Sequence, residues 1–312
     1  MQNEFLMTTA DQIRLGLSNP SLLMRKLSQI YNRLRYRSEF YPRGINHMNQ
    51  DWDNLLILDA CRYDLFKDIN DISGYLRCVE SRGSATPEFL RGNFQGEKFL
   101  DTVYITTNPM LYRHRDDIDV TFHEVVNLWT GDTWDDEKGT VLPEVVTAEA
   151  KRIADIYPNK RLLVHYMQPH YPFIDSKTTF DEGHIGDASP DELTTWMQIM
   201  TGEVNIDKEG LWNAYADNLR RVLPHVRELT EYLSGKTVIT SDHGNMFGER
   251  SSPIPIREWG HPEGIWTSEL VKIPWLEVPY SNRKKITQEP AVETETGEES
   301  AVQERLESLG YI

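Results

Sequence analysis

Short apolar runs alternate with longer amphipathic segments along most of the chain. Apolar runs predict buried β-strands, and segments with apolar residues three and four positions apart predict helices. The predicted strands are residues 54–59, 75–80, 102–106, 161–166, 236–241 and 271–276. The predicted helices are residues 63–69, 86–93, 143–157, 189–202 and 208–233. This alternation predicts an α/β fold, a three-layer sandwich with a mainly parallel central sheet and helices on both faces.

The segments outside this alternation have a different composition. Residues 108–140 and 174–190 are polar and aperiodic, which predicts long loops. A closing helix is predicted from Glu299 to Leu309, with Gly310 as its stop. We therefore divide the chain into four parts: an N-terminal basic helical segment (1–50), a main domain (51–278), a flexible acidic linker (279–298) and a C-terminal helix (299–312).

The N-terminal segment contains a basic amphipathic stretch. Seven cationic side chains lie between residues 10 and 43, where apolar residues recur at helical spacing. Asn19, Pro20 and Ser21 are typical of a helix start, because proline is tolerated in the first turn. Two interpretations stay open, a helix lying on an anionic membrane surface and a helix packed on the main domain. The acidity of the whole chain favours the second, because it opposes anionic lipid.

Charge and composition limit the partners and the location. The 312 residues carry a formal net charge of -16, whereas nucleic-acid-binding proteins need a basic face, so no nucleic-acid partner is expected. Two cysteines are too few for a disulfide framework and are predicted to be thiols. No apolar run is long enough to span a bilayer, and no secretory signal is evident. A cytoplasmic location is expected, with peripheral contact at the inner membrane face through residues 10–43 as the alternative.

Two strands that are distant in the sequence both end at candidate metal ligands. Asp59 ends the strand 54–59, and Asp242, His243 and Gly244 follow the strand 236–241. Because ligands gather at the carboxyl ends of parallel strands, the Asp and His side chains are predicted to bind one cation through oxygen and nitrogen donors. The structural alternatives are a helix N-cap for Asp59 and a surface turn for the second group.

A candidate nucleophile lies at a predicted strand-to-helix turn. Ser84 is followed by Pro87, and a hydroxyl at a helix N-terminus can attack phosphorus or sulfur once a metal lowers its pKa. Simple N-capping is the alternative role for Ser84, and Thr86 is a rival nucleophile. His170 and His261 lie in loops beside proline or glycine, where they can donate hydrogen bonds to a tetrahedral anion or bind a second ion.

In this order the motifs resemble the alkaline phosphatase superfamily, and within it the sulfatase-like and phosphoglycerol-transferase branch. Residues 57–64 resemble the opening run of sulfatases, and residues 241–244 resemble their Ser-Asp-His-Gly segment. Residues 260–261 and 270–275 resemble the later His and a following strand. Residues 302–311 are similar to the C-terminal tails of sulfatase-like proteins from salt-loving archaea. The resemblance covers the chain from the first to the last predicted strand, plus that tail.

The resemblance implies an alkaline phosphatase-like fold and metal-dependent chemistry. Asp59, Asp242, His243 and the hydroxyl of the nucleophile would hold one divalent cation, which is Mn²⁺, Mg²⁺, Ca²⁺ or Zn²⁺. The nucleophile would attack a phosphate or sulfate ester in line. His170 and His261 would hold the non-bridging oxygens or the leaving group.

Departures from the family pattern refine this expectation. Sulfatases carry Cys- or Ser-x-Pro-x-Arg, but here Pro87 is three residues after Ser84 and no arginine follows in register. Alignment with the Thr-x-x-x-Glu-Phe of phosphoglycerol transferases places Ser84 at the nucleophile and the metal, with Thr86 as the rival. Tyr166 and Met167 stand where two-metal members carry an acidic residue, so one metal is expected. Phosphoryl transfer is favoured over sulfuryl transfer.

The sequence therefore predicts a metal-dependent hydrolase or transferase of phosphate or sulfate esters. The substrate would be a small molecule, a glycan or a lipid head group. One alternative is a catalytically inactive sulfatase-like binding or scaffold protein. Another is a phosphomutase of the same superfamily, for which residues 108–160 or 174–235 would have to supply a cap domain.

Overall fold

The structure is a computed structural model. It describes residues 19–175, 194–292 and 299–310. Several predictions therefore lie partly outside the described residues: the first part of the basic stretch, most of the loop 174–190, the start of the helix 189–202 and the end of the linker.

Helices and strands alternate in the order that the hydrophobic pattern predicts. The helices are α1 (Pro20–Tyr36), α2 (Tyr63–Ile69), α3 (Thr86–Phe94), α4 (Met110–Arg113), α5 (Arg115–Ile118), α6 (Pro143–Ile156), α7 (Thr195–Thr201), α8 (Lys208–Tyr232), α9 (Ser268–Val271) and α10 (Glu299–Ser308). The strands are β1 (Asn54–Leu58), β2 (Tyr75–Glu80), β3 (Lys98–Thr106), β4 (Thr121–Asn127), β5 (Arg161–Tyr166), β6 (Thr237–Thr240), β7 (Met246–Arg250), β8 (Arg257–Gly260) and β9 (Lys272–Glu277).

Seven strands form one central sheet in the order β2-β9-β6-β1-β5-β3-β4. The strands from β6 to β4 in this order are parallel, whereas β9 is antiparallel to both β6 and β2. Every residue of β1 and β6 is buried, which requires cover on both faces of the sheet, as in α/β sandwiches. The predicted α/β fold with a mainly parallel sheet is confirmed.

The strand register brings the predicted site residues to one edge of the sheet. Ile57 of β1 pairs with His165 of β5 on one side and with Thr240 of β6 on the other. Asp59 and Asp242 each lie two residues beyond these paired positions, so the ends of neighbouring parallel strands deliver both carboxylates to the same place.

The segment 108–140 differs from the loop that its polarity predicts. It contains α4, α5 and the edge strand β4, which is only partly buried and pairs with β3 alone. A half-buried edge strand needs few apolar residues, so the pattern missed it. The pattern also missed the two-stranded sheet of β7 and β8, whose short strands contain too few residues to show an alternation.

The first described residues of the predicted linker lie along the surface of the main domain. The backbone N–H groups of Thr287, Glu289 and Val292 donate to carbonyls of Asn159, Leu100 and His123. Beyond the linker, Val302 and Leu306 of α10 and Leu309, which follows it, belong to the hydrophobic core. The division of the chain into four parts stays a prediction.

Helix α1 begins at Pro20, as predicted from the Asn-Pro-Ser sequence. It packs on the protein through a polar face that includes Arg25, Ser28 and Asn32. Within the part of the chain that the structure describes, none of the helices combines the length and the apolar character that crossing a bilayer requires.

Candidate metal centre and active site

The structure brings together three of the predicted metal ligands. Asp59, Asp242 and His243 are fully buried, and one ligand atom from each lies within 4.8 Å of the others. His243 Nε2 is 3.3 Å from Asp242 Oδ2 and 3.6 Å from Asp59 Oδ1. Residues nearly two hundred positions apart therefore converge closely enough for a single ion to contact all three.

Hydrogen bonds fix His243 in the tautomer that metal binding needs. Its Nδ1 lies 2.8 Å from the carbonyl oxygen of Gly244, which can only accept a hydrogen bond. The ring proton is therefore on Nδ1, and the lone pair of Nε2 faces the two carboxylates. Metal-binding histidines are commonly oriented by such a bond to a backbone carbonyl.

The two carboxylates are held by neighbouring amides. Asp242 Oδ1 accepts hydrogen bonds from the backbone N–H groups of Ala60 and His243, at 3.0 and 2.8 Å. Asp59 Oδ2 accepts one from Asn108 Nδ2 at 2.8 Å. Ala60 has a φ of 57°, in the left-handed region, so the chain turns sharply right after Asp59. These hydrogen bonds orient each carboxylate.

The donor set fits a divalent cation. Burial would raise the pKa of Asp242, but His243, His165 and the hydrogen bonds from Ala60 and Thr86 hold it below its usual value. Two buried carboxylates so close together need positive charge beside them, because isolated buried anions are costly. Two carboxylate groups and one imidazole are ligands that Zn²⁺ and Mn²⁺ accept.

The two candidate hydroxyls occupy different environments. Thr86 Oγ1 is 3.0 Å from Asp242 Oδ2 and 3.2 Å from His243 Nε2. Ser84 Oγ instead donates to Glu88 Oε2 at 2.8 Å and lies 2.9 Å from the carbonyl oxygen of Pro262. The structure therefore places Thr86 at the predicted metal ligands, whereas the contacts shown for Ser84 are with its own turn and the loop that follows β8.

His170 and His261 come together beside His243. Their Nε2 atoms are 2.9 Å apart, and the ring of His261 also lies 4.7 Å from that of His243, centroid to centroid. His170 Nδ1 lies 2.6 Å from the carbonyl oxygen of Tyr171, so its proton is on Nδ1 and its Nε2 accepts from His261. Burial, with His243 and His170 nearby, lowers the pKa of His261 and keeps the ring neutral.

The sequence analysis missed His165, which lies inside β5 next to Asp59. Its Nε2 is 3.6 Å from Asp59 Oδ2 and 3.8 Å from Asp242 Oδ2, and burial lowers its pKa to about 4. Its Nδ1 is 2.9 Å from the hydroxyl oxygen of Tyr104. The signal was a histidine within an otherwise apolar strand, where an imidazole needs a polar partner.

Glu88 was also missed, although it connects the two sides of the turn before α3. Its carboxylate accepts hydrogen bonds from Ser84 N and Oγ, Gly264 N and Trp266 Nε1. Burial raises the pKa of Glu88 to about 7. Through these bonds Glu88 holds the loop that follows His261 against the residues that precede Thr86.

Solved structures with similarity to this chain are phosphoethanolamine transferases, sulfatases and LtaP. The C-terminal periplasmic domain of EcEptC from Escherichia coli, solved in complex with Zn, is 14% identical over 78% of this chain and 78% of its own, with a TM-score of 0.44. BT1596, a 2-O GAG sulfatase, is 9% identical over 76% of this chain and 65% of its own, with a TM-score of 0.46. The lipoteichoic acid synthase LtaP from Listeria monocytogenes is 11% identical over 76% of this chain and 66% of its own, with a TM-score of 0.40.

No protein-family model matches the chain, and no curated protein sequence matches it significantly. At these identities and TM-scores the comparisons carry no argument about the site, whose chemistry follows from its own geometry. The likeness of the C-terminal tail to archaeal proteins stays a prediction.

Proposed function

We propose that this chain is a metal-dependent phosphotransferase or phosphohydrolase with Thr86 as its nucleophile. The observation that carries the proposal is the contact of Thr86 Oγ1 with both Asp242 and His243, inside a fully buried cluster of metal-ligand side chains. These contacts orient the threonine hydroxyl, and a cation held by the same side chains would make it more acidic, which is what an attacking oxygen needs.

The position of Thr86 in the fold supports this choice. It is the first residue of α3, where the helix dipole favours negative charge on an attacking oxygen or a bound phosphate. Ser84 lies one residue before the N-cap Ala85, and Glu88 accepts a hydrogen bond from its hydroxyl. We therefore assign nucleophilic attack to Thr86 and a role in shaping the turn to Ser84.

Asp59, Asp242, His243 and Thr86 Oγ1 would hold the cation. When bound, a divalent ion would lower the pKa of the Thr86 hydroxyl and offset the charge of the phosphoryl oxygens. The carboxylate Oδ2 of Asp242, which lies in hydrogen-bond reach of Thr86 Oγ1, provides the route for the hydroxyl proton. Asn108 and the N–H of Ala60 keep the two carboxylates in place during this transfer.

The reaction then follows two displacements. Thr86 Oγ1 gives its proton to Asp242 and attacks phosphorus, the bond from phosphorus to the ester oxygen breaks, and the departing alkoxide takes up the proton that Asp242 received. Water or a second alcohol next attacks the phosphothreonine, which restores the Thr86 hydroxyl and releases phosphate or a new ester. The acceptor decides between hydrolase and transferase.

The histidine pair would hold the phosphoryl group. His170 directs its own proton to the Tyr171 carbonyl, so the proton between the two rings belongs to His261 Nε2. His261 lies beside His243, so its N–H would donate a hydrogen bond to a phosphoryl oxygen or to the leaving oxygen, while the ring keeps its proton and stays neutral.

The substrate class is an ester of phosphate on a small molecule, a glycan or a lipid head group, with sulfate esters as the less favoured class. Formylglycine chemistry is not supported, because the chain lacks the Cys- or Ser-x-Pro-x-Arg pattern. A sulfatase-like scaffold without turnover, or a phosphomutase, remains as the competing interpretation. Covalent labelling and turnover of model esters separate these functions.

The test is covalent trapping at Thr86. Wild type, Thr86→Val and Ser84→Ala are incubated with Mn²⁺ or Zn²⁺ and with p-nitrophenyl phosphate, bis-p-nitrophenyl phosphate or p-nitrophenyl sulfate. The reactions are quenched in acid, and the peptides are analysed by mass spectrometry. Thr86→Val keeps the side-chain shape but loses the hydroxyl, so we expect loss of both label and p-nitrophenol release. We expect Ser84→Ala, the control from the same turn, to be labelled on Thr86.

A label on Ser84, or turnover that survives in Thr86→Val, would contradict the assignment. Release of p-nitrophenol only from the sulfate ester would shift the substrate class to sulfuryl transfer. Metal binding by calorimetry with no label and no turnover on any ester would favour the scaffold interpretation. Isomerisation of a phosphosugar without net phosphate release would favour the mutase.

A further inference from the structure

Helix α1 is amphipathic in the opposite sense to an ordinary surface helix. Its polar residues Arg25, Ser28 and Asn32 are buried against the protein. Its large apolar residues are exposed to solvent: Leu23, Met24, Leu27, Ile30, Tyr31 and Leu34. The spacing of Leu23, Leu27, Ile30 and Leu34 places them on one face of the helix, directly opposite the buried polar residues.

The polar face of α1 is fastened to the loop region around His261. Arg25 makes a buried double contact with Glu258, at 2.6 and 2.9 Å to Oε2. Gln29 Nε2 donates to the carbonyl oxygen of Glu263, and Asn32 Nδ2 donates to that of Gly264, each at 2.8 Å. These bonds fix the rotation of α1 about its own axis, so the apolar face must point away from the protein.

Cationic side chains border this apolar face. Lys26 and Arg33 project along one side of it and Arg35 along the other, by the 100° rotation of successive helical residues, and all three are exposed. Between residues 19 and 43 the only acidic residue is Glu39. The segment is thus locally basic in a chain whose net charge is -16. An apolar strip with basic margins is the composition of helices that lie in the interface of anionic bilayers.

We propose that the exposed face of α1 docks on an anionic lipid surface. The apolar side chains would enter the boundary between head groups and acyl chains, and the basic side chains would contact lipid phosphates. A phospholipid bilayer supplies both features over one flat area. This surface is separate from the metal centre, so it holds whether or not Thr86 performs the proposed chemistry.

A second copy of the chain fits the face less well. In a two-fold dimer the same patch meets itself, so the cations bordering each α1 would face those of the other helix. An anionic surface instead attracts the basic side chains that border the apolar face.

Vesicle co-sedimentation of the full chain tests the proposal. The probes are vesicles of equimolar phosphatidylglycerol and phosphatidylcholine, with pure phosphatidylcholine for comparison. We expect binding to the anionic vesicles only. Binding should weaken when ionic strength rises from about 0.1 M to about 1 M, which shortens the Debye length from about 10 Å to about 3 Å.

Two double variants separate the apolar and the cationic contributions. Leu27→Gln/Leu34→Gln should lower the vesicle affinity at least tenfold, because two apolar side chains no longer enter the interface. Lys26→Gln/Arg33→Gln should lower it by roughly 25-fold, on the basis of about fivefold per cation. The matched control is Ile156→Gln/Val292→Gln, which alters two exposed apolar residues outside α1 and should bind like wild type.

Three results would overturn the proposal. The first is failure of the full chain to sediment with anionic vesicles. The second is equal binding by Leu27→Gln/Leu34→Gln and by the control variant. The third is a dimer in analytical ultracentrifugation that Leu27→Gln/Leu34→Gln converts to monomer, which would identify a second copy as the occupant of the face. The proposed activity of Thr86 is measured on water-soluble esters, so the result of that test does not depend on vesicle binding.

Discussion

Replacing His165 by phenylalanine should weaken metal binding without removing a ligand. Phenylalanine keeps an aromatic ring in the same buried position but lacks both nitrogens. In wild type, His165 Nε2 lies 3.6 and 3.8 Å from the Oδ2 atoms of Asp59 and Asp242. Because two carboxylates face Nε2, they favour the ring proton on that atom, and Nδ1 then accepts a hydrogen bond from the Tyr104 hydroxyl.

The expected loss of affinity is about tenfold. Residues that orient metal ligands typically change metal affinity by about 10- to 100-fold, which corresponds to about 1.4–2.7 kcal/mol. The His165 distances exceed the usual limit of a hydrogen bond, so its N–H dipole acts on the carboxylates through space and the lower end applies. Asp242→Asn removes a metal ligand, so it should lower the metal affinity more than His165→Phe does, and it should leave the fold intact.

Competition of the protein with a chromogenic chelator for Zn²⁺ measures this affinity directly. Thermal unfolding gives a second readout, because a metal at 100 times its Kd stabilises a protein by about 2.7 kcal/mol, and tenfold weaker binding reduces this to about 1.4 kcal/mol. Tyr104→Phe, which keeps His165 but frees its tautomer, should lose less than His165→Phe. An affinity within about twofold of wild type in His165→Phe would refute the reasoning, and a loss as large as that of Asp242→Asn would make His165 a ligand.

Three further predictions concern stability and pH. Arg25→Met leaves Glu258 buried without its cation, so the free energy of unfolding in urea should fall by roughly 3–5 kcal/mol, and a fall under about 1 kcal/mol would contradict this. Burial lowers the pKa of Lys284 to about 8, so the folded state binds fewer protons than the unfolded state between about pH 8 and its model value of 10.5. Unfolding free energy of wild type should therefore rise relative to Lys284→Met across that range, by about 1–2 kcal/mol after allowance for partial exposure, and parallel pH curves would argue against it. Asp53 is buried, and hydrogen bonds from Arg283 help to lower the pKa of its carboxyl group. The charged carboxylate therefore stabilises the folded state above the pKa that Asp53 has in the unfolded chain, and this stabilisation is lost as the pH falls through the pKa of the folded state. In Asp53→Asn the free energy of unfolding should consequently fall less steeply at acid pH than in wild type.

The buried parts of the fold could be predicted because their pattern depends on local sequence. All six predicted strands are present with boundaries that agree within a few residues, and α2, α6 and α8 agree within one. What the pattern could not show was structure with little apolar content. Strand β4 lies at an edge, and β7 and β8 form a small separate sheet, so few of their positions require apolar residues.

The candidate ligands were found for a related reason. Asp59 and Asp242 stand where apolar strands end, and the carboxyl ends of parallel strands meet in any such sheet. The choice between Ser84 and Thr86 was beyond the sequence, because both are hydroxyls on one turn. Which of them faces the carboxylates depends on the extended conformation of Ala85 and on the hydrogen bonds from Ser84 to Glu88.

Helix α1 shows where periodicity alone misleads. Its spacing of apolar residues predicts a helix, and the usual inference is that the apolar face meets the protein. Here Arg25, Gln29 and Asn32 instead bind a carboxylate and two backbone carbonyls on the protein side. The two interpretations of the sequence, packing on the main domain and contact with a membrane, therefore do not exclude each other. The helix packs on the protein through its polar face, and its apolar face, bordered by basic side chains, faces solvent, where an anionic surface can contact it.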